Sequence, residues 1–427
     1  MKVKTQNDIA WEKLFNKYNI LMQINKNGMY QISASQIKEF REPRLMAKFD
    51  HQINLPQIFK DNNLSILPIT RGDYLISNFK TYHSFEPDKN EIIKFSLPNH
   101  IQSLDYNNIT SEAIAINCSF ATGILKDFLE DDELIPTVSG RMSSGNFQYN
   151  IDMHNKNKRN ITIKNSQIEI DAAFEGIHSL TIIEAKRDLS KDFLIRQLYY
   201  PYRLWKNKIT KPVRTVFLVY TNGLYKLYEY KFQDTNNYNS LILVKQKIYT
   251  LEDTTITSLD LKQLLKEIKI IKEPEIPFPQ ADNFARIINL CELLNEQELS
   301  RNDVTERYAF DARQTNYYTD AARYLGLVKK KKTGQKTTYT LSPLGEEILK
   351  LDFKKRQLAY CKCILSHQVF NRILDITLQQ GEIPNKNDIV TIMKTSNLYN
   401  IKNNSTFNRR ASTITQWINW ILEIINE

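Results

Sequence analysis

Two short runs of sequence decide the fold prediction for this chain: QIEIDAAFE at Gln167–Glu175 and LTIIEAKR at residues 180–187. Both alternate in polarity as β-strands do, since every second side chain of a strand lies on the same face. The second run therefore presents Glu184 and Lys186 on one face. If the two strands are neighbours, Asp171 of the first run joins them. The sequence thus predicts two carboxylates and one ammonium on one patch of a sheet.

The first run should divide its side chains cleanly between two faces. Glu169 and Asp171 share one face. The opposite, apolar face consists of Ile168, Ile170, Ala172 and Phe174. Glu169 is either an auxiliary ligand or a structural neighbour, and the sequence leaves both interpretations open.

A group of close carboxylates repels itself unless it holds a cation, and hard oxygen ligands suit Mg²⁺, for which Mn²⁺ can substitute. Asp171, Glu184 and the carbonyl of Ala185 are the expected metal ligands. Lys186 would orient or activate a water molecule and offset developing negative charge. This combination is typical of metal-dependent phosphodiester hydrolysis.

Composition limits the function classes. The chain has 427 residues and a formal charge of +10, which is compatible with a polyanionic partner. No run approaches the roughly 18 apolar residues of a membrane helix, and the N-terminus lacks the apolar core of a signal peptide. The four cysteines show no zinc-type spacing and are expected to be reduced thiols. These features predict a cytoplasmic protein with no membrane partner.

The pattern of elements divides the chain into five parts. Residues 1–105 form a mixed α/β region that could contact DNA, and residues 106–270 form a sheet flanked by helices. Within the second part, a helix is expected at 111–129, a small-residue loop at 136–146, strands over 147–163, and a helix at 193–205. Residues 271–280 contain three prolines and should be an extended linker. Two helical units follow, at 281–352 and 353–427.

The first helical unit has a winged-helix pattern. Three helices are expected at 283–294, 299–309 and 311–325, followed by a hairpin whose turn, residues 329–336, is rich in lysine. On the third helix, Arg313, Gln314 and Asn316 are free to read base edges. The residues expected to contact phosphates are Lys329, Lys330, Lys331, Lys332 and Lys336. In the last unit Arg409 and Arg410 are candidate DNA contacts, and this unit could be a second winged helix or a dimer interface.

The central part resembles the PD-(D/E)xK nuclease superfamily, whose core runs helix, three strands, helix, strand. The family's motif maps onto Asp171 and onto Glu184-Ala185-Lys186, although Ile170 replaces the usual proline before the aspartate. The resemblance implies a fourth acidic residue on the preceding helix, for which Glu112 is the best match and Glu130 and Asp131 are rivals near the end of that helix. Glu112 could equally be an exposed glutamate without a role in the site. The resemblance also makes Gln197 an auxiliary residue on the following helix. Arg141 in the expected 136–146 loop could hold a phosphate, although a plain flexible turn is at least as compatible with that sequence.

The resemblance, together with the modular DNA-binding units, implies a type II restriction endonuclease of a bacterial restriction system, which cuts double-stranded DNA at a specific sequence inside the cell. A symmetric target would call for a homodimer. The cognate DNA methyltransferase is expected to be a separate protein. Two alternatives stay open: a structure-specific repair or mobile-element nuclease, and a transcriptional regulator whose nuclease-like sheet is a scaffold without activity. The predicted fold class is α/β (α+β), a restriction-endonuclease-like core with a mixed sheet.

Overall fold

The computed structural model describes residues 4–87, 91–308, 310–334, 336–396, 398–399, 401 and 403–425. The chain is a mixed α/β protein in which helices cover a seven-stranded mixed sheet. The elements of the first region are α1 Gln6–Lys17, α2 Ile20–Asn27, β1 Tyr30–Ser33, α3 Ala34–Lys38, α4 Pro43–Met46, a 3-10 turn Gln52–Asn54, α5 Gln57–Asp61, β2 Ser65–Pro68, β3 Asp73–Ser77, β4 Tyr82–Ser84 and β5 Ile92–Lys94.

The central region carries most of the large sheet. Its elements are α6 Glu112–Ala121, α7 Ile124–Leu129, β6 Ile135–Ser143, β7 Asn146–Asp152, β8 Lys158–Lys164, β9 Gln167–Glu175, β10 Leu180–Lys186, β11 Asp192–Leu194, α8 Arg196–Lys206, β12 Val213–Thr221, β13 Leu224–Phe232, β14 Leu241–Thr250 and α9 Ser258–Glu267. The strand order is β5-β14-β13-β12-β10-β9-β6. The strands β6, β9 and β10 are antiparallel neighbours, while β10 and β12 run parallel. Such a parallel pair needs a crossover, and α8 supplies it.

The two faces of this sheet have separate cores. One core includes Ile182 of β10 and Leu198 and Tyr199 of α8, and it extends to the β7–β8 hairpin. The other includes Ile183 and Ala185 of β10 and the helices α6 and α7. Strand β10 is therefore buried on both faces, as expected for a strand with a parallel partner inside a layered domain.

Three sequence expectations for this region need correction. The helix expected at 111–129 is two helices, because Gly123 adopts φ +86° between α6 and α7. The segment expected to be a loop at 136–146 is largely strand β6, because its backbone pairs with that of β9. The helix expected at 193–205 begins only at Arg196, since residues 192–194 pair with β4 as strand β11. The strands expected over 147–163 are the hairpin β7–β8.

The predicted division of side chains along β9 was also wrong at its second half. Ile168 and Ile170 lie in one core, but Ala172 and Phe174 belong to the core on the opposite face. The β6–β9 register shifts between Ile170 and Ala173, so β9 has one extra residue there. A bulge of this kind redirects the side chains that follow it, and it lies at Asp171.

The C-terminal region is mainly helical. Its elements are α10 Phe284–Glu296, β15 Leu299–Ser300, α11 Arg301–Arg307, α12 Ala312–Tyr324, β16 Val328–Thr333, β17 Lys336–Leu341, α13 Pro343–Leu349, α14 Phe353–Leu365, α15 Gln368–Gln380, α16 Lys386–Lys394 and α17 Asn404–Glu423. The three helices expected in the first unit are present, although Ala309 lies outside the described residues. The lysine-rich segment is strand β16 rather than a turn, since it pairs along β17. One hydrophobic core runs from Leu261 to Ile421, so the units expected at 281–352 and 353–427 share it.

Residues 271–280 have no helix or strand, as their prolines predicted. They are nevertheless fixed in place: Phe278 is buried, and Tyr324 donates a hydrogen bond to Glu273. The N-terminal region also contacts the C-terminal one. Arg41 forms an ion pair with Glu306 of α11 at 2.8 Å, which joins the two regions.

Candidate active site

The strands β9 and β10 pair only as far as Ala172 and Ile183, and beyond this point they separate. Asp171 lies at the fork. Its Oδ2 atom accepts a hydrogen bond of 2.8 Å from the backbone N–H of Ala185, in place of a ladder bond from β9. The bulge in β9 thus gives Asp171 a fixed position beside the second motif strand.

Glu184 and Lys186 lie on the same side of β10, as the alternation predicted. The Nζ atom of Lys186 is 2.6 Å from Oε1 of Glu184 and 3.2 Å from the carbonyl oxygen of Ala185. Gln197 of α8 donates a second hydrogen bond, of 2.7 Å, to the same Oε1. Because both donors use Oε1, Oε2 is the oxygen of Glu184 that can take a further ligand.

Glu112 completes the group predicted from the sequence. It is the first residue of α6, whose N-cap is Ser111, and its Oε1 lies 3.7 Å from the Nζ of Lys186. The structure thus brings together Glu112, Asp171, Glu184 and Lys186, and it places the predicted auxiliary Gln197 in contact with them.

Burial strongly perturbs this cluster. The side chains of Glu184 and Lys186 are only 10 % and 12 % exposed. Burial raises the pKa of Glu184 to about 8, with Lys186 opposing the shift and Asp171 adding to it. The surrounding carboxylates, Glu184 first, hold the pKa of Lys186 well above its ordinary value in spite of its burial. Burial likewise raises the pKa of Glu112. A carboxyl group that is costly to ionise beside other carboxylates is characteristic of functional sites.

Sequence reasoning missed three residues next to this cluster. His51 is buried, and its Nε2 atom lies 2.8 Å from Oδ2 of Asp188. Asp188 interacts electrostatically with Lys186 and Glu112, and Asp50 does so with Lys186 and Glu184. Asp188 follows the E-x-K motif by two residues and was within reach of a sequence argument. Asp50 and His51 belong to another region of the chain, and no spacing rule connects them to the motif.

Two predicted auxiliary residues have other partners. Glu169 is 52 % exposed and pairs with Arg141 across the β6–β9 ladder, with 3.3 Å between Arg141 Nε and Glu169 Oε1. Arg141 is itself 60 % exposed and lies on strand β6, so the expectation of a loop was wrong, while its contact with a phosphate stays a prediction. The structural-neighbour interpretation of Glu169 matches this geometry.

The candidate base-reading residues lie at the start of α12. Arg313 is exposed and donates a 2.6 Å hydrogen bond to the hydroxyl of Tyr317. Gln314 accepts a long bond, of 3.4 Å, from the buried Arg286. Arg313 and Asn316 line a cleft of about 930 Å³ between α12 and the N-terminal region. Arg313 and Asn316 therefore face a groove that α12 and the N-terminal region form together.

The candidate phosphate contacts are arranged in two places. The exposed lysines of the β16–β17 hairpin are Lys329, Lys330, Lys331, Lys332 and Lys336. In α17, Arg409 is exposed, whereas burial lowers the pKa of Arg410, which interacts electrostatically with Tyr317 and Asp320 of α12. Arg410 is thus partly committed to packing near α12.

The C-terminal region is bonded directly to the chain just beyond the end of β10. The side-chain amide of Asn289, in α10, donates to the carbonyl of Arg187 at 2.7 Å and accepts from the backbone N–H of Leu189 at 3.0 Å. Arg187 also forms an ion pair with Glu296. Arg187 and Leu189, which follow closely on Lys186, are therefore held by the same region that carries α12.

Within the described part of the chain, no three His, Cys, Asp or Glu side chains are arranged to hold a metal ion together. The metal ligands predicted from the sequence are two carboxylate side chains and one backbone carbonyl. This set has fewer than three ligating side chains. Among the described helices, none is long and apolar enough to cross a membrane.

Three families match successive parts of the chain, and each is a domain of unknown function. They are DUF6996 at residues 8–76, DUF6997 at residues 77–250 and DUF7226 at residues 286–426. No curated protein and no solved structure matches the chain. Asp171, Glu184 and Lys186 all lie in the segment similar to DUF6997, Asp50 and His51 in the segment similar to DUF6996, and α12 in the segment similar to DUF7226.

Proposed function

We propose that this protein is a Mg²⁺-dependent endonuclease that hydrolyses phosphodiester bonds of double-stranded DNA at a specific sequence, as type II restriction enzymes do. The observation that carries the proposal is the fork between β9 and β10. There Asp171 is anchored on the backbone N–H of Ala185, and Lys186 bridges Glu184 and Glu112. Around the large sheet, the helices α6 and α7, the sheet strands β6, β9 and β10, helix α8 and the parallel strand β12 follow one another in chain order, which supports a PD-(D/E)xK core.

The donor set fits a hard divalent cation. Asp171, Glu184 and the Ala185 carbonyl would hold Mg²⁺ through oxygen atoms. The five carboxylates here outnumber the nearby basic groups Lys186, His51 and Lys48 among the described residues, so the region favours a cation. When bound, Mg²⁺ would supply charge neutralisation and a more acidic water molecule.

The protein's own residues have separable tasks. The ammonium of Lys186 can orient a water molecule and stabilise negative charge on the phosphoryl oxygens, since it is held by contacts to Glu184 and Glu112. Gln197 fixes Oε1 of Glu184 and so sets the direction of Oε2. Because Glu184 and Lys186 are buried, water is largely excluded from them and the electrostatic interaction between them is stronger.

DNA binding by the C-terminal region is the second part of the proposal. Arg313, Gln314 and Asn316 would read bases, and the lysines of the β16–β17 hairpin would contact phosphates. The bonds from Asn289 to Arg187 and Leu189 connect DNA binding with the catalytic strand. A symmetric target would be cut by a homodimer with one site per strand.

Cleavage assays with several DNA substrates test this function. Purified protein would be incubated with mixed plasmid DNA or branched DNA in the presence of Mg²⁺, alongside Asp171→Ala and Lys186→Ala. Discrete plasmid fragments that both variants fail to produce would support a restriction enzyme. Cutting of branched DNA alone would support a repair or mobile-element nuclease. Tight binding without Mg²⁺-dependent cutting would leave the transcriptional regulator.

A further inference from the structure

A segment of the N-terminal region docks directly behind the catalytic motif. Its contacts are with β11 and with the loop that joins β11 to β10. The carbonyl of Asp50 accepts a 3.0 Å hydrogen bond from the N–H of Leu194, and the N–H of Gln52 donates a 3.0 Å bond to Oδ1 of Asp192. These bonds fix residues 50–52 from both sides.

His51 adds a buried anchor to this docking. Its ring is 5 % exposed and contacts both ends of the loop that joins β10 to β11. The Nδ1 atom is 2.7 Å from the Asp192 carbonyl oxygen, while Nε2 is 2.8 Å from the Asp188 carboxylate. Because removing one partner of a buried ion pair leaves an uncompensated charge, this contact holds the N-terminal region firmly in place.

The docking brings the Asp50 carboxylate towards the catalytic cluster. Asp50 interacts electrostatically with Lys186 and with Glu184. Its Oδ2 atom is 3.8 Å from the ammonium of Lys48, which is 56 % exposed. Its Oδ1 atom is buried and has no hydrogen-bond partner among the residues that the structure describes. A buried carboxylate oxygen without a donor is costly, which suggests a role in the site rather than in packing.

We propose that Asp50, held by the His51 anchor beside Asp188, is a positioning residue of the catalytic cluster: the charge of its carboxylate favours the position of the Lys186 ammonium that the contacts to Glu184 and Glu112 define. The inference rests on the proposed nuclease function. It means that residues similar to DUF6996 complete a site whose motif lies in the part similar to DUF6997. The N-terminal region would then be part of the enzyme's active site and not only an accessory to DNA binding.

The test compares Asp50→Asn with wild type in the full-length chain. Asp61→Asn is the matched control, because Asp61 is an exposed acid of the same region and undergoes the same chemical change. Measurements are kcat and KM for Mg²⁺-dependent plasmid cleavage, the melting temperature, and the affinity for Mn²⁺ alone without DNA. We expect kcat of Asp50→Asn to fall about tenfold to a hundredfold. KM, melting temperature and Mn²⁺ affinity should match wild type, and Asp61→Asn should match it throughout.

The outcomes separate this inference from the nuclease proposal. If wild type does not cleave DNA, the proposed function fails. If wild type cleaves and Asp50→Asn has the same kcat, the positioning role is overturned. A parallel loss of Mn²⁺ affinity would also overturn it, since Asp50 would then be a metal ligand. If Asp50→Asn does not fold, Asp50→Ser is measured against the same criteria.

Discussion

Metal binding at the catalytic cluster should depend steeply on pH, and Glu184 is the cause. Burial raises the pKa of its carboxyl to about 8, so the group is mostly protonated at neutral pH before metal binds. A metal ligand must be ionised, and the ion therefore has to displace a proton. The sign follows directly: metal affinity is low at acidic pH and rises until the pH exceeds the pKa of Glu184.

The size of this effect can be worked out from the pKa. One pH unit below the pKa, about one Glu184 in eleven is ionised, and ionising the rest costs about 1.4 kcal/mol. The affinity should thus rise about tenfold between pH 6 and 7 and about tenfold again between pH 7 and 9. Each ion bound at pH 7 should release about 0.9 protons, against about 0.1 at pH 9.

Calorimetric titration of the protein with Mn²⁺, in two buffers of different ionisation enthalpy, measures both quantities. Glu184→Gln should weaken binding and abolish the proton release. The matched control is Glu169→Gln, because Glu169 is exposed and pairs with Arg141 outside the cluster. An affinity that is constant from pH 6 to 8, or binding without proton release, would refute this assignment of Glu184 as a buried metal ligand.

Four further outcomes are expected. Asp171→Asn should lower the cleavage rate by about a hundredfold to a thousandfold, while circular dichroism stays unchanged because an amide oxygen can still accept the bond from Ala185. The pKa of Glu184 is raised on folding from 4.5 to about 8, so its contribution to stability is fully present below the lower value and is lost as pH rises to the upper one. Urea unfolding of the metal-free protein should therefore show a stability that declines between these two pH values and levels off above about 8, and Glu184→Gln should remove this decline. Arg356 and Glu252 form an ion pair in which each side chain is only 8 % exposed. Arg356→Met should therefore lower the free energy of unfolding, measured with urea, by about 3–5 kcal/mol, because it leaves the Glu252 carboxylate buried without its partner. Adding Glu252→Gln to this variant should restore part of the lost stability. Replacing the four lysines at 329–332 with alanine should weaken binding to all DNA sequences alike and reduce the salt slope of log K by about 3 to 4, whereas an unchanged slope would exclude the hairpin as a phosphate contact.

The catalytic motif could be predicted from the sequence because it depends on local periodicity. Strand alternation correctly placed Glu184 and Lys186 on one side of β10. Glu112 and Gln197 were predicted only through the resemblance to a nuclease superfamily, which implies such residues on the helices before and after these strands. The strand faces could thus be derived from one segment, whereas these two residues could not.

What the sequence did not reveal depends on pairing between distant segments. The bulge at Asp171 follows from the register between β6 and β9, which no single strand specifies. Residues 136–146 read as a loop because of their glycines and serines, but the ladder with β9 makes most of them a strand. The docking of His51 on Asp188 joins two regions through a buried ion pair, and neither residue has a distinctive sequence environment.

The most direct test of the proposed active site is the single-turnover rate of supercoiled plasmid cleavage with Mg²⁺ by wild type and by Glu184→Gln. Glutamine keeps the shape of the side chain and can still accept the bonds from Lys186 and Gln197, so the fold and DNA affinity should persist. We predict Mg²⁺-dependent cleavage by wild type and a rate reduced by about a thousandfold in the variant. Equal rates for the two proteins would contradict the assignment of a nuclease site to the fork between β9 and β10.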